Sequence, residues 1–205
     1  MTSPWLSVVM PVHNGARFLP ATLESVLRAA SAVLIATPVG PRLAAQQIAI
    51  VDAAVRAGVR QIVKLSASAW TMQPGATTTI GAAHLAVETR LAEAALTSTS
   101  VRPNAFTQHF FGRVKAEAQA EGRFMRPLDA ARIATVDIAD IADMLVFALT
   151  ARAGERHGFT IHEISGPEAL SGDDVGAILG HVLGRPVRYE PISIETALGR
   201  ERERG

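Results

Sequence analysis

Apolar and polar positions follow two rhythms that take turns along the chain. Runs of strand length lie at 6–12, 32–37 (AVLIAT), 61–66 (QIVKLS), 159–164 and 187–192, with shorter ones at 99–102 and 133–136. Between them apolar residues recur every three or four positions, the spacing of an amphipathic helix. Leu19, Leu23, Val26, Leu27 and Ala30 make one such face, with Pro20 tolerable in the first turn. Ala44, Ile48, Val51 and Val55 make the next, and Gly58 stands where a left-handed residue closes a helix. A Gly/Thr-rich loop over 72–79 leads to a third helix, with Leu85, Thr89, Ala92 and Leu96 on one side. A fourth covers 138–151 behind Asp137, and Ser171 to Asp174 (SGDD) has the form of a capping box opening a helix that Gly184 ends.

Strands alternating with helices of this length predict an α/β fold: a Rossmann-like, doubly wound parallel sheet. Right-handed crossovers bring the C-terminal ends of all its strands to one edge, where ligands bind at the switch point. The positions to watch follow the strands: 13–17, Thr37-Pro38, 66–68, Pro103-Asn104 and Asp137.

Composition narrows this picture. The 205 residues are 48% hydrophobic and 19% charged, enough to bury a core and too apolar for a disordered chain. A net charge of +1 gives no electrostatic reason to expect nucleic acid or an acidic membrane as partner. Cysteine is absent, which excludes disulfides, a thiolate nucleophile and Cys-type zinc sites, and fits a cytoplasmic protein. No apolar stretch is long enough to span a bilayer, and the opening lacks the basic region of a signal peptide. The charged segment 199–205 (GRERERG) has no apolar face and reads as a frayed, disordered tail.

Four stretches in order carry a resemblance: AVLIATPVGPRLAAQQIAIVDAAVRAGVRQIVKLSA, then HLAVETRLAEAAL followed by SVRPNAFTQ, then TVDIADIADMLVFALT, then ISGPEALSGDDVGAILGHVLGRPVRYEPIS. From about 31 to 198 the chain resembles the NmrA-like branch of the atypical short-chain dehydrogenases/reductases. Residues 6–29, with SVVMPVHNGARFLPATLESVL, resemble instead the first strand and helix of family 2 glycosyltransferases. The acidic pair and the Asp-x-Asp of those enzymes are missing. The resemblances imply a strand–helix unit over 1–30 packed onto a sheet, an NmrA-like core over 31–155 and a small C-terminal α/β lobe on the substrate side over 156–198. They also imply that the segments equivalent to the family's second and third strands are absent, so that strand 6–12 pairs directly with strand 32–37.

The candidate chemistry follows. In the turn at 11–17, Gly15 is the one glycine where a dinucleotide fingerprint has three, and Arg17 would pair with a phosphate. The same Asn-Gly also serves as a plain strand-to-helix turn. Thr37, Pro38, Ser66, Pro103, Asn104 and Phe106 end or follow strands, and the resemblance places such loops beside the nicotinamide of NADP or NAD and the substrate. His84 and Glu88 lie four apart on one helical face, in the region where a typical short-chain dehydrogenase carries Tyr-x-x-x-Lys. His84 would donate a proton, or be a half-exposed histidine paired with Glu88. Lys64 receives no chemical role. Asp137, Asp140 and Asp143 read as the acidic start of a helix rather than as metal ligands.

The expected function is an NAD(P)-binding oxidoreductase that reduces a small carbonyl or quinone-like acceptor, with weak cofactor binding because the phosphate turn is poor in glycine. The alternatives are a non-catalytic nucleotide-sensing NmrA-like protein, a chimeric remnant without function and, last, a glycosyltransferase.

Overall fold

In the computed structural model the described residues are 25–73, 78–150 and 158–204. The strand expected at 6–12 and the turn with Gly15 and Arg17 lie outside them. The chain divides into two compact units, and it passes between them after Arg102, Asp143 and His162.

The first unit is built on a parallel sheet. β1 (Ala32–Ile35) pairs with β2 (Gln61–Leu65) from Ala32↔Gln61 to Ile35↔Lys64, and β2 pairs with β3 (Thr97–Pro103) from Gln61↔Thr97 to Leu65↔Val101. The sheet order is β1-β2-β3-β5, where β5 is Phe159–Ile164. β1 is therefore the outer strand among the described residues. Strand 159–164, which the sequence assigns to a separate lobe, is a member of this sheet.

Two helices cross between these strands. α1 (Leu43–Ala57) closes on Gly58, whose φ of 76° is the left-handed value expected there. α2 (Thr79–Ala92) starts at Thr78, whose side chain accepts from Gly81 N. Ile35, Leu43, Val51, Ile62, Val87 and Leu91 pack into one core, joined by Leu27 from the helical residues 25–29. Gly81 is required by close approach: a Cβ there would stand 1.9 Å from Thr71 O.

The buried face of α2 differs from the expected one. Leu85 is exposed, and the inward residues are Gly81, His84, Val87, Glu88 and Leu91. The apolar stripe through Leu85 is outward because a polar pair, His84 and Glu88, finds partners inside.

The second unit holds two elements that hydrophobic spacing did not reveal, α3 (Thr107–Glu121) and β4 (Arg123–Arg126). α3 buries only Val114, Glu117 and Ala118, too narrow a stripe to read as periodic. Gly122, at φ 67°, turns the chain from α3 into β4. α4 (Ile138–Thr150) begins in this unit and continues in the first after Asp143; the strand expected at 133–136 is reduced to single bridges, Ile133 to Leu170 and Val136 to Phe106. α5 (Gly172–Leu183) carries the expected capping box and ends at Gly184, φ 65°. β6 (Arg188–Pro191) pairs in parallel with β4, and α6 (Ile194–Arg204) runs helically through the segment expected to fray. Its alternating Glu and Arg are good helix formers, which an absent apolar face does not prevent. Val114, Ala118, Phe124, Val175 and Leu179 form the core of this unit.

Candidate functional site

In the first unit polar residues follow the ends of β1 and β2. Beyond β1, Thr37 Oγ1 accepts from Gln47 Nε2 at 2.8 Å. Gln47 is buried on α1, and its Oε1 has no hydrogen-bond partner among the described residues. A buried carbonyl oxygen without a donor costs about 1–3 kcal/mol, so this end of the sheet suits a ligand that offers an N–H or O–H. Beyond β2, Ser66 N donates to Val101 O at 2.8 Å and Ser66 Oγ donates to Glu88 Oε1 at 2.7 Å.

Glu88 is the centre of a buried network. It is 2% exposed and accepts from Ser66, from Ser100 Oγ at 2.5 Å, and from Arg102 through Nε at 3.1 Å and Nη2 at 2.5 Å. Burial pushes its carboxyl up, but the hydrogen bonds from Arg102, Ser100 and Ser66 outweigh that and hold it below the ordinary carboxylate value. Glu88 therefore remains an anion neutralised in place by Arg102.

His84, one turn earlier on α2, faces a different partner. Its Nδ1 lies 2.6 Å from Lys64 Nζ, which also donates to Leu65 O at 3.1 Å. Lys64 is fully buried in β2. Burial lowers its pKa to about 7, against the pull of Glu88 and with the help of Arg102's positive charge. Burial, then the nearby Lys64, lowers His84 to about 4. His84 is thus neutral at neutral pH, while Lys64 titrates there. The alternative of a half-exposed histidine paired with Glu88 does not hold: His84 is buried and bonded to lysine, and Glu88 serves Arg102 and the two serines.

The structure thus brings together Ser66, His84 and Glu88 and adds Lys64, Ser100 and Arg102. The signal for the added residues was present as spacing. Lys64 on β2 and Ser66 just beyond it are two apart, Ser100 and Arg102 are two apart on β3, and Lys64 and Ser100 are register partners. Period-2 polar pairs on two buried strands belong under one polar helix stripe.

In the second unit, Asn104 N donates to Ile164 O at 2.8 Å, and its Oδ1 accepts from Ala105 N at 2.9 Å. Phe106 is the extended residue before α3, and Thr107 N donates to Val136 O at 2.9 Å. Asp137 caps α4 by accepting from Ala139 N at 2.8 Å, and Gln108 Nε2 donates to its other oxygen at 2.7 Å. Among the described residues no helix is long and apolar enough to cross a membrane.

A parallel sheet with crossover helices and polar strand ends defines the Rossmann-like class, and solved structures share it. The Citrobacter sp. triphenylmethane reductase complexed with NADP(H) superposes with TM-score 0.75 at 19% identity, covering 91% of this chain and 64% of that one. An NADPH-dependent quinone oxidoreductase from Escherichia coli also gives 0.75, at 23% identity, over 85% and 59%. The profile of the NmrA-like family matches residues 12–200, so the chain belongs to the NmrA-like family. The match takes in the turn with Gly15 and Arg17, which the sequence pattern had assigned to a glycosyltransferase-like opening. An NAD(P)H azoreductase from Xenophilus azovorans is 32% identical over 178 residues, 87% of this chain and 60% of the relative. A (4-alkanoyl-5-oxo-2,5-dihydrofuran-3-yl)methyl phosphate reductase from Streptomyces griseus is 33% identical over 191 residues, 91% of this chain and 64% of the relative. The chain spans less than two thirds of the length of either.

Proposed function

We propose that the protein is an NAD(P)H-dependent reductase of NmrA type acting on a small carbonyl or quinone-like acceptor. The observation that carries this reading is the polar end of the sheet, where Thr37 and Ser66 follow neighbouring parallel strands and Gln47 Oε1 is buried without a donor among the described residues. That unsatisfied oxygen fits a group rich in hydroxyl and amide donors, as a nicotinamide riboside is. The reductase names of the relatives support the same class.

In the first unit Thr37, Pro38 and Ser66 would hold the nicotinamide end; Pro103, Asn104 and Phe106 are the corresponding candidates in the second. Gly15 and Arg17 would meet the phosphates. The bound dinucleotide supplies a hydride. Lys64 holds a proton at Nζ and faces His84 Nδ1, so the pair would deliver the proton that an acceptor needs after hydride arrives. The absence of cysteine suits a cytoplasmic location.

A single glycine in the phosphate turn offers fewer backbone N–H groups than a dinucleotide fingerprint. Losing about two charge-assisted bonds of roughly 1.5–3 kcal/mol each weakens binding by two to four decades. Calorimetry is expected to find NADPH binding near millimolar, and low-micromolar binding would overturn the weak-binding expectation.

A non-catalytic nucleotide sensor is the second reading, favoured by the burial of His84 at 6% exposure and by the Ser66 hydroxyl being spent on Glu88. NADPH oxidation measured against a panel of quinones separates the two. Turnover supports the reductase, binding without turnover supports the sensor, and neither binding nor turnover refutes both.

A further inference from the structure

The second unit contains a cavity of about 310 Å³ that no part of the reading above uses. Three arginines line it: Arg113 from α3, Arg126 from β4 and Arg200 from α6. The remaining wall is apolar, made by Met125, Pro127, Ile192 and Ala197, and among the described residues no acidic side chain lines the cavity.

Two of these arginines share a single carboxylate, whereas Arg123 and Arg132 have carboxylates of their own. Arg123 has carboxylates at 3.2 Å and 2.7 Å, from Glu121 and Glu190, and Arg132 has Asp174 at 2.7 Å. Arg126 and Arg200, in contrast, share Glu117. Arg126 Nη1 takes both oxygens of Glu117 at 3.0 Å and donates to Met125 O at 2.6 Å. Arg200 is left with Glu117 at 4.0 Å and with the Met125 sulfur, a weak acceptor, at 3.4 Å. Glu117 is further drawn on by Met125 N at 3.3 Å.

The arrangement has a chemical consequence. Nη1 of Arg126 is fixed by its bonds to Glu117 and Met125, which orients the rest of a planar fork. Arg200 also lines the cavity, and among the described residues the carboxylate near its guanidinium is Glu117, at 4.0 Å. Arg126 and Arg200 place two positive charges around the single charge of Glu117, which leaves the pair able to take a further anion, and a planar fork matches carboxylate and phosphate oxygens. The apolar wall then asks for a hydrocarbon body behind the charged head. The volume lies at the lower end of small-molecule sites, which run from roughly 300 to 1,000 Å³.

We propose that this cavity binds a small amphiphilic organic anion, with a phosphate or carboxylate head on Arg126 and Arg200 and an aromatic or short aliphatic body on Met125, Pro127, Ile192 and Ala197. The site lies wholly within one unit and does not depend on a dinucleotide.

The test uses the full chain with methyl-labelled Met and Ile, titrated with phenyl phosphate, benzoate, inorganic phosphate and neutral benzyl alcohol. Phenyl phosphate, benzoate or both are expected to shift the Met125 and Ile192 methyl signals; whichever binds tighter identifies the preferred head. Benzyl alcohol and inorganic phosphate are each expected to bind at least about ten-fold more weakly, one lacking the charge and the other the body. Arg200→Gln, on a partly exposed helix, is expected to weaken the anion by roughly ten-fold or more, the loss of one charge-assisted bond; Arg113→Gln is the second variant. The proposal is overturned if neither organic anion shifts those methyls, if a control probe binds as tightly as the anions, or if both variants bind like the parent.

Discussion

Lys64 Nζ lies 2.6 Å from His84 Nδ1, in a place where neither side chain meets solvent. A strand lysine and a helix histidine face each other with no carboxylate bonded to either. The anion nearby, Glu88, is bonded by Arg102, Ser66 and Ser100. This division leaves the lysine with the cost of burial, which is why its pKa falls from 10.5 to about 7.

That cost makes stability depend on pH. Below pH 7 both folded and unfolded chains carry a protonated Lys64, and the folded state bears the full penalty. Between about 7 and 10.5 the unfolded chain binds more protons, so stability rises with pH across that window. The rise attributable to this residue is roughly 3–5 kcal/mol. Urea unfolding at pH 7, 8, 9 and 10 is expected to show it in the parent and to show a flatter profile in Lys64→Met. Parallel profiles would mean that the lysine is not desolvated.

Glu88→Gln tests the other half of the network. The substitution keeps the shape and removes the charge, leaving Arg102 buried against a neutral amide. Breaking a buried pair by removing one partner costs about 3–5 kcal/mol. Thermal and urea unfolding are expected to show a loss of that order, and a loss below about 1 kcal/mol would show that water compensates Arg102.

How much of this was legible in the sequence varies from element to element. The parallel order of strands 32–35, 61–65 and 97–103 follows from apolar runs separated by helices, and Gly58 and Gly184 mark helix ends because φ there is positive. The placing of His84 and Glu88 on one face of α2 was legible only as a spacing. Their partners lie on strands 20 and 12 residues away along the chain, and a helical wheel does not contain them. It also misled about the buried face of α2, because Leu85 was weighted by hydrophobicity while His84 and Glu88 were satisfied inside by other polar groups. α3 and β4 were missed because α3 exposes most of its surface and β4 has only Phe124 deeply buried. The arginine cavity joins residues from α3, β4 and α6, which no local pattern connects.

Glycine substitutions are expected to separate close approach from simple flexibility. In Gly81→Ala the new Cβ would stand 1.9 Å from Thr71 O, an oxygen already accepting from Thr78 N at 3.0 Å. Something must move, at a cost of about 1–3 kcal/mol or more. Gly112, on α3, has nothing within 4 Å of its Cβ position. There Gly112→Ala is expected to stabilise by roughly 0.5–1 kcal/mol through helix propensity. Opposite signs in urea unfolding are the expected result; a neutral Gly81→Ala would contradict the packing of α2 on residues 69–72.

The capping box of α5 gives the last prediction, in the second unit. Ser171 Oγ accepts from Asp174 N at 3.1 Å, while Asp174 Oδ2 accepts from Ser171 N at 2.9 Å and from Arg132 Nη2 at 2.7 Å. Two orphan N–H groups at the helix start are thus satisfied reciprocally. Ser171→Ala removes one acceptor and leaves Asp174 N to water, a loss of about 1 kcal/mol. The Asp174 carboxyl is held below its usual range by the hydrogen bonds from the Ser171 backbone and hydroxyl, with help from Arg132. A carboxyl with a depressed folded pKa contributes stability above its unfolded value, and that contribution is lost as pH falls through the lower folded value. Asp174→Asn is therefore expected to destabilise the protein at pH 7 and to lose that effect progressively as pH falls below the ordinary aspartate value. Circular dichroism melts across that range check the sign, and an equal deficit at both ends would assign the role of Asp174 to shape rather than charge.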